Sequence, residues 1–228
     1  MKAFSLSLFC FLLCASTVNA ATADQRKTLI EAVQVLEEIQ SSPDQNIPEK
    51  LVANAKAIIV FPTLIKAGFI FGAQYGSGVA SVRDEKTGKW GPPAFLKNYG
   101  GSFGFQIGAE AVDLVLLVMS QRGIEGLMKS KFKLGADVSV AAGPVGRHAE
   151  AGTDATFKGE IYSYSRSKGA FAGVTLKGAV IGENTDANWG YYERPLSPKD
   201  ILIDGRVKKY SESTNRFIND LSRIAPRK

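Results

Sequence analysis

The first clear pattern in the chain is a helical repeat of apolar positions within residues 22–40. The apolar side chains recur every three or four residues, at Leu29, Ala32, Val33, Leu36 and Ile39. Such spacing predicts an amphipathic helix. Its polar face carries both acidic and basic residues, whereas a helix that lies on a membrane surface has a mainly basic polar face. The pattern therefore favours a helix packed against its own domain.

A second helix and a first strand follow this segment. Residues 41–48 are rich in Ser, Pro and Asn and predict a loop. Pro48 suits the first turn of a helix over residues 49–57. The apolar run 58–61 stops at Pro62, and a short apolar run of this kind predicts a buried strand that the proline ends.

From Ala67 onward the hydrophobic period changes from helical to alternating, and glycine becomes frequent. Residues 67–82 and 90–98 predict two strands joined by a turn at Thr87-Gly88. Residues 102–119 predict two further strands or one long bent strand. The apolar run 114–119 is far shorter than a bilayer-spanning helix, so it predicts a core strand.

The remaining pattern places further strands in the middle of the chain and helices at its end. We predict a helix over 121–129, strands over 132–140, 153–165 and 171–181, and a C-terminal helix over 207–224. Strand and helix do not alternate, so the sheet should be antiparallel. The 23 glycines suggest bends and bulges. The predicted class is α+β: a mainly antiparallel, strongly curved, barrel-like core over about 58–182, flanked by the N-terminal helix 22–40 and C-terminal helices over about 197–224.

The first 20 residues predict a secretory signal peptide. They have one Lys at position 2, an apolar core over 4–13, and an ending, Val18-Asn19-Ala20, that fits a signal-peptidase site. We therefore expect cleavage after Ala20, a single domain over 21–228, and a periplasmic or secreted location, with peripheral membrane association. A lipid-modified Cys14 is the alternative, although the residue before it is not small.

Cysteine content and charge narrow the classes of function. Cys10 and Cys14 both lie in the predicted signal, so the mature chain has no disulfide and no cysteine nucleophile. Without Lys2, 27 basic and 22 acidic residues leave a net charge of +5, and the isoelectric point is about 9.2. This balance favours an anionic partner. For an exported protein we expect phosphate-bearing lipid rather than nucleic acid.

The chain lacks the motifs of common enzymes. His148 is the sole histidine, which excludes a multi-histidine metal site, and no Walker A or G-x-G-x-x-G motif is present. We therefore predict no metal, no nucleotide, no cofactor and no enzymatic activity. A hydrolase that uses His148 and nearby acids stays as a third hypothesis.

Four stretches resemble a known family. They read FPTLIKAGFIFGAQYGSGV (61–79), GGSFGFQIGAEAVDLVLLVM (100–119), LGADVSVAAGPVGRHAEAGTD (134–154) and IYSYSRSKGAFAGVTLKGAVI (161–181). In this order they resemble the SYLF domain family over about residues 49–192. The resemblance implies a single-domain bacterial exported member. Eukaryotic members bind phosphoinositide membranes and, in yeast, actin; actin is not expected in a bacterial envelope.

The resemblance directs attention to two basic stretches, the G-P-V-G-R run at 143–147 and the Y-S-R-S-K-G run at 164–169. Glycine-rich backbone N–H groups beside a guanidinium favour an anion site. The predicted lipid-binding residues are Arg147, Arg166, Lys168, Lys66, Lys177 and Phe171. The alternative is an ordinary hairpin turn with solvated charges.

Two hypotheses of function follow. The first is non-enzymatic binding of anionic phospholipid or phosphoinositide head groups at a membrane surface. The second is a structural or protein-interaction module of the envelope, with an envelope protein as partner and incidental lipid binding. Its support is the glycine-rich sheet, whose edges can pair with a strand of a partner.

Overall fold

The structure is a computed structural model that describes residues 3–42, 46–68, 71–103, 108–145, 159–167, 170–171, 176 and 178–227. For residues 3–21, 71, 102–103, 108 and 170–171 it describes the backbone only. Statements below about side chains concern the other described residues.

The described part of the chain contains six helices and nine strands. The helices are α1 (Ala3–Gln40), α2 (Glu49–Asn54), α3 (Gln121–Leu127), α4 (Thr185–Tyr192), α5 (Pro198–Leu202) and α6 (Glu212–Ile224). The strands are β1 (Ala57–Gly68), β2 (Phe71–Val82), β3 (Ala94–Phe103), β4 (Gly108–Val118), β5 (Lys131–Lys133), β6 (Val140–Ala142), β7 (Ile161–Ser167), β8 (Ala170–Phe171) and β9 (Val180–Glu183). Among the described helices, none combines enough length with enough apolar character to cross a lipid bilayer.

The strands form one curled sheet. Its order is β5-β9-β3-β2-β1-β4-β7-β6, with β8 paired to β7. The pairs are antiparallel except β6–β7. β5 and β6 lie at opposite ends of this order but are joined by residues 134–139 alone, so the sheet must curl to bring its edges together. The predicted α+β class with a mainly antiparallel, strongly curved sheet is confirmed.

The two faces of the sheet are buried in different ways. One face, called the helix face, packs against α1, α2, α4 and α6 through residues such as Ile58, Val115 and Tyr164. The other, called the inner face, encloses a second core, in which Phe132 beside one edge and Ile161 beside the other lie in the same cluster. Because both faces are buried there, the segments 57–61 of β1 and 114–118 of β4 read as continuous apolar runs rather than as alternating ones.

A buried arginine ties the helices to the sheet. Arg83 at the end of β2 donates from Nη1 to the Ala53 carbonyl (2.9 Å) and from Nη2 to the carbonyls of Val52 (3.2 Å) and Ala225 (2.8 Å). Its guanidinium lies 4.3 Å from the centre of the Trp90 ring. These carbonyls end α2 and α6, where helices leave acceptors without partners. Burial lowers the pKa of Arg83 to about 10, so the group stays cationic at neutral pH.

Most predicted elements are present, with three informative differences. Pro62 does not end β1, because it lies where the register between β1 and β4 shifts, and a bulge tolerates a missing N–H. The single strand predicted over 132–140 is two short strands separated by a turn with Gly135 at φ +82°. Helix α4 was not predicted; its N-terminus is capped by the side chain of Asn184, which accepts from Ala187 N–H.

Candidate functional site

Arg166, the central cation of the predicted site, is held by two carboxylates. It lies on the helix face of β7, opposite Asp113 of β4. Its Nη2 donates to Glu38 of α1 and lies 3.4 Å from Asp113 Oδ2. Burial alone would lower the pKa of Arg166, but the hydrogen bond and charge of Glu38 raise it overall. With 14% of its side chain exposed, Arg166 fastens the end of α1 to the sheet.

One backbone donor proposed for the anion site, the Gly143 N–H, is also occupied. Gly143 N–H donates to the Ser163 carbonyl (2.9 Å), and Ser163 Oγ donates to the Ala141 carbonyl (3.2 Å). A Cβ on Gly143 would lie 2.0 Å from Tyr164 Cζ, and the Tyr164 hydroxyl donates to the Pro144 carbonyl (3.2 Å). Gly143 therefore makes room for a buried tyrosine ring, and its N–H is not free for a ligand.

The other predicted residues do not form one patch with Arg166 in the described structure. Arg147, Lys168 and Lys177 lie outside the described residues, as does His148. Phe171 pairs through its backbone with Arg166, and its side chain is not described. Lys66 lies on the inner face, opposite Glu110 and Gln74, whereas Arg166 lies on the helix face. The lipid-binding role of these six residues stays a prediction, and the geometry of Arg166 argues against its part in it.

The structure brings together a different set of exposed side chains, which we call the tyrosine–lysine surface. It lies on the helix-face side of the sheet and consists of Ile65, Tyr75, Tyr99, Lys97, Lys131 and Lys133. Ile65 pairs with Tyr75 and Tyr75 pairs with Tyr99, so the three side chains form a row across β1, β2 and β3. Their exposures are 46%, 55% and 39%. Direct cross-strand partners have Cβ atoms about 5 Å apart, so the row is continuous.

The lysines extend this row toward the sheet edge. Tyr99 pairs with Val180, and Val180 pairs with Lys133. Lys97 and Lys131 both pair with Gly182, on opposite sides of it. A Cβ on Gly182 would lie 3.2 Å from Tyr99 Cε1, so the tyrosine ring lies over the glycine, beside these lysines.

The ammonium groups of this surface are only weakly neutralised. Lys97 Nζ lies 3.8 Å from Asp186 Oδ2, whose side chain is almost fully exposed, and such exposed pairs contribute little. Lys131 and Lys133 are exposed, and their side chains form no ion pair with any carboxylate in the described ranges. One acid lies nearby, because Asp137 Oδ2 accepts from the Lys133 backbone N–H (2.8 Å).

This arrangement of residue types suits an interface between water and lipid. Tyrosine presents an apolar ring and a polar hydroxyl, and lysine an apolar stem and a charged end. Contiguous exposed apolar side chains rimmed by polar ones mark interaction surfaces. No cluster of three or more His, Cys, Asp or Glu side chains able to hold a metal is found in the part of the chain that the structure describes.

Sequence reasoning missed this surface because its residues come from separate stretches. The local signal was present: Lys131 and Lys133 flank the buried Phe132, which indicates a strand with both lysines on one face. The register that aligns Tyr75 with Tyr99 spans two strands, and the sequence does not specify it locally.

Comparison with known proteins identifies the family. Residues 99–224 match the family model Ysc84, described as "Las17-binding protein actin regulator". An SH3 domain-containing protein of Schizosaccharomyces pombe is 38% identical over 159 residues, covering 68% of this chain and 36% of that protein. LAS seventeen-binding protein 3 of Saccharomyces cerevisiae is 38% identical over 168 residues, covering 72% of this chain and 36% of that protein.

A human relative, SH3 domain-containing YSC84-like protein 1, is 34% identical over 191 residues, covering 81% of this chain and 55% of that protein. The chain thus spans about a third of the length of the fungal relatives and about half of the human one. The family resemblance seen in the four sequence motifs is confirmed. The chain belongs to the Ysc84 family, which is the SYLF domain family.

Proposed function

We propose that this protein is a non-enzymatic module that binds anionic phospholipid surfaces, phosphoinositide head groups included. The observation that carries the proposal is the tyrosine–lysine surface, where a row of exposed apolar side chains adjoins three lysines on one side of the sheet. The net positive charge of the chain supports the same partner. The family description, an actin regulator, names no enzymatic activity.

The three lysines set the expected strength of binding to an anionic membrane. Each basic residue near an anionic membrane contributes about 1 kcal/mol, so Lys97, Lys131 and Lys133 together supply about 3 kcal/mol, or a factor of about 150 in partitioning. The lysines are exposed or partly exposed, and salt therefore screens this attraction. Tyr75 and Tyr99 add contact with the interfacial region of the bilayer. We expect reversible and salt-sensitive binding.

Predicted lipid-binding residues remain part of the proposal where their side chains are not described. Arg147, Lys168, Lys177 and Phe171 stay predicted contacts with lipid. Arg166 would first have to leave Glu38 and Asp113, which makes it the weakest of the predicted contacts.

We also propose that the protein is exported, with residues 1–20 as the signal peptide, a single domain over 21–228, and a periplasmic or secreted location. An exported protein meets phospholipid head groups directly at a membrane surface. Residues 1–20 combine a basic residue, an apolar core and an ending that fits a signal-peptidase site.

A protein partner is the second candidate. The family model is described as Las17-binding, and one relative is named for the same property. These names concern those proteins, of which this chain spans about a third. For this chain we propose only that a protein of the same envelope docks on it.

The test uses the chain lacking residues 1–20 in co-sedimentation with vesicles. We expect binding to phosphatidylglycerol- or phosphoinositide-containing vesicles at low salt, a several-fold loss at 0.5 M salt, and little binding to neutral phosphatidylcholine vesicles. Equal binding to neutral and anionic vesicles would remove the electrostatic proposal. Cross-linking in intact cells that captures one reproducible protein, with no vesicle binding in vitro, would favour the second candidate.

A further inference from the structure

A group of polar side chains lies on the inner face of the sheet, which is mainly apolar. We call it the inner polar cluster; it consists of Glu110, Lys66, Gln74 and Asn98. Glu110 of β4 pairs with Lys66 of β1, and Lys66 pairs with Gln74 of β2. Gln74 Nε2 donates to Asn98 Oδ1 of β3 at 2.7 Å. The cluster therefore spans four neighbouring strands of the sheet.

The amide end of the cluster is buried and incompletely satisfied. Asn98 is 0% exposed and Gln74 is 9% exposed. Asn98 Nδ2 finds no acceptor within the described residues. Buried amide donors are nearly always hydrogen-bonded in proteins, and an orphaned one calls for an explanation. The cluster thus has a donor available for an oxygen that the described chain does not supply.

The charged end of the cluster is also open. Lys66 is half-buried, and burial lowers its pKa while the charge of Glu110 raises it. Although the two residues are direct cross-strand partners, no Lys66–Glu110 ion pair forms in the described structure. A partly desolvated ammonium without a hydrogen-bonded carboxylate is stabilised by an anion that reaches it. Glu110 is exposed and remains available to a cation.

The surroundings of the cluster are closed on one side and bordered by glycines on the other. Along β2, Gln74 has Gly72 and Gly76 as its neighbours on the same face, and across the ladder it faces Gly100 of β3. A Cβ on Gly76 would lie 2.8 Å from the Thr63 carbonyl oxygen and one on Gly100 would lie 3.2 Å from Ala179 Cα, so backbone closes both positions. Beyond Gln74, toward the end of the sheet, Gly68 pairs with Gly72. Small residues therefore border the cluster on its outer side.

We propose that the inner polar cluster binds a phosphoethanolamine group. The phosphate oxygens lie at the Lys66 ammonium and the amides of Gln74 and Asn98, and the ammonium of the ligand lies at the Glu110 carboxylate. Adjacent groups of opposite charge fit a zwitterion, because each charge of the ligand meets its complement. A phosphate without an amine leaves Glu110 uncompensated and meets its repulsion.

This inference deepens the proposed function, because a phospholipid head group is one source of phosphoethanolamine; a soluble phosphate compound is the other. The two sources are separated by using a water-soluble probe and vesicles in different arms. The cluster lies on the opposite face of the sheet from the tyrosine–lysine surface, so variants of each leave the other intact.

The test follows the side-chain amide signals of Gln74 and Asn98 by ¹H–¹⁵N NMR while glycerophosphoethanolamine is added to the chain lacking residues 1–20. We expect both pairs of signals to shift. Lys66→Met should weaken the affinity about tenfold, the loss of one charge-assisted contact. Glu110→Gln should abolish the preference for glycerophosphoethanolamine over inorganic phosphate. Lys86→Gln, which removes the charge of an exposed lysine outside both sites, should change neither result.

Several outcomes overturn the proposal. Absent amide shifts, or shifts of the same size in Lys66→Met, would show that the cluster binds no such ligand. An unchanged preference in Glu110→Gln would show a simple anion site. Amide shifts by the soluble probe without binding to any vesicle would support the cluster while contradicting the proposed membrane function. The backbone spectrum of each variant verifies that it is folded.

Discussion

Replacement of Arg83 by Met is the strongest test of how the fold is held together. The methionine keeps an apolar stem of similar length but removes the three hydrogen bonds to the carbonyls of Val52, Ala53 and Ala225. The carbonyl of Ala225 keeps Trp90 Nε1 as a donor (3.0 Å), and that of Val52 keeps Ala55 N–H (3.3 Å). The Ala53 carbonyl keeps no other hydrogen bond within the described residues.

The expected loss can be worked from these contacts. Three hydrogen bonds contribute a net of about 1 kcal/mol each, and the contact with the Trp90 ring adds about 1–2 kcal/mol. Arg83→Met should therefore lower the free energy of unfolding by about 4–5 kcal/mol. Arg83→Lys keeps the charge, but one ammonium cannot reach carbonyls at the ends of two helices as a planar guanidinium does. We expect Arg83→Lys to lose about half as much.

Urea unfolding of the chain lacking residues 1–20, followed by far-ultraviolet circular dichroism, measures these values. The matched control is Arg122→Met, because Arg122 is exposed and makes only a 3.8 Å ion pair with Glu160; its loss should stay below about 1 kcal/mol. If Arg83→Met loses no more unfolding free energy than the control, or if Arg83→Lys is as stable as the parent chain, the hydrogen bonds of Arg83 do not hold the helices to the sheet.

Three further predictions concern the ion pairs of Arg166, which hold α1 to the sheet, and Gly143, which lies against the Tyr164 ring. Arg166→Met removes the ion pair with Glu38, so amide hydrogen exchange at residues 36–40 should become about tenfold faster. This corresponds to a loss of about 1.4 kcal/mol in the free energy of local opening. Unchanged exchange would show that Arg166 does not hold α1 to the sheet. Burial raises the pKa of Asp113 and Arg166 lowers it, so a ¹³C carboxyl titration should find the Asp113 midpoint above 3.8 and still higher in Arg166→Met. Since the folded value is raised, the stability that Asp113 contributes should fall as pH rises through that midpoint; a midpoint below 3.8 would reverse the sign. Gly143→Ala places a methyl against the Tyr164 ring and should lower the free energy of unfolding in urea by about 1–3 kcal/mol. The control is Gly205→Ala, because a Cβ there meets nothing within 4 Å. This control also includes the backbone strain of an alanine at φ +59°.

The elements of this fold follow from local periodicity, and the positions of their ends do not. The alternation along residues 67–82 and the turn at Thr87-Gly88 predicted the β2–β3 hairpin correctly. Helix α4 has no apolar stripe to reveal it. It is fixed by a long-range contact in which Asn188 accepts from Phe95 N–H (2.8 Å) and donates to its carbonyl (3.2 Å). The side-chain amide of Asn188 thus bonds the Phe95 backbone as a neighbouring strand would. No local sequence pattern indicates this contact.

The surroundings of Arg166 also depend on long-range contacts that the sequence does not show locally. Arg166 reads as a loop cation because Ser165 and Ser167 flank it. The alternation Tyr162, Tyr164, Arg166 nevertheless places all three on one face, and the first two are buried against the helices. That alternation indicated that Arg166 faces the helices together with the two tyrosines. The carboxylates that neutralise it, Glu38 and Asp113, lie on other elements, so only the folded chain identifies them.

Binding of anionic membranes by the tyrosine–lysine surface can be measured directly with two triple variants of the chain lacking residues 1–20. Both are compared on phosphatidylglycerol-containing vesicles. The first carries Lys97→Gln, Lys131→Gln and Lys133→Gln. The second removes the same charge from exposed lysines elsewhere, at Lys86, Lys208 and Lys209. We expect the first variant to lose about two orders of magnitude in partitioning, at about 1 kcal/mol for each lysine, and the second to keep most of its binding. Equal losses in the two variants would show that net charge alone attracts the protein and that the tyrosine–lysine surface is not the membrane-binding site.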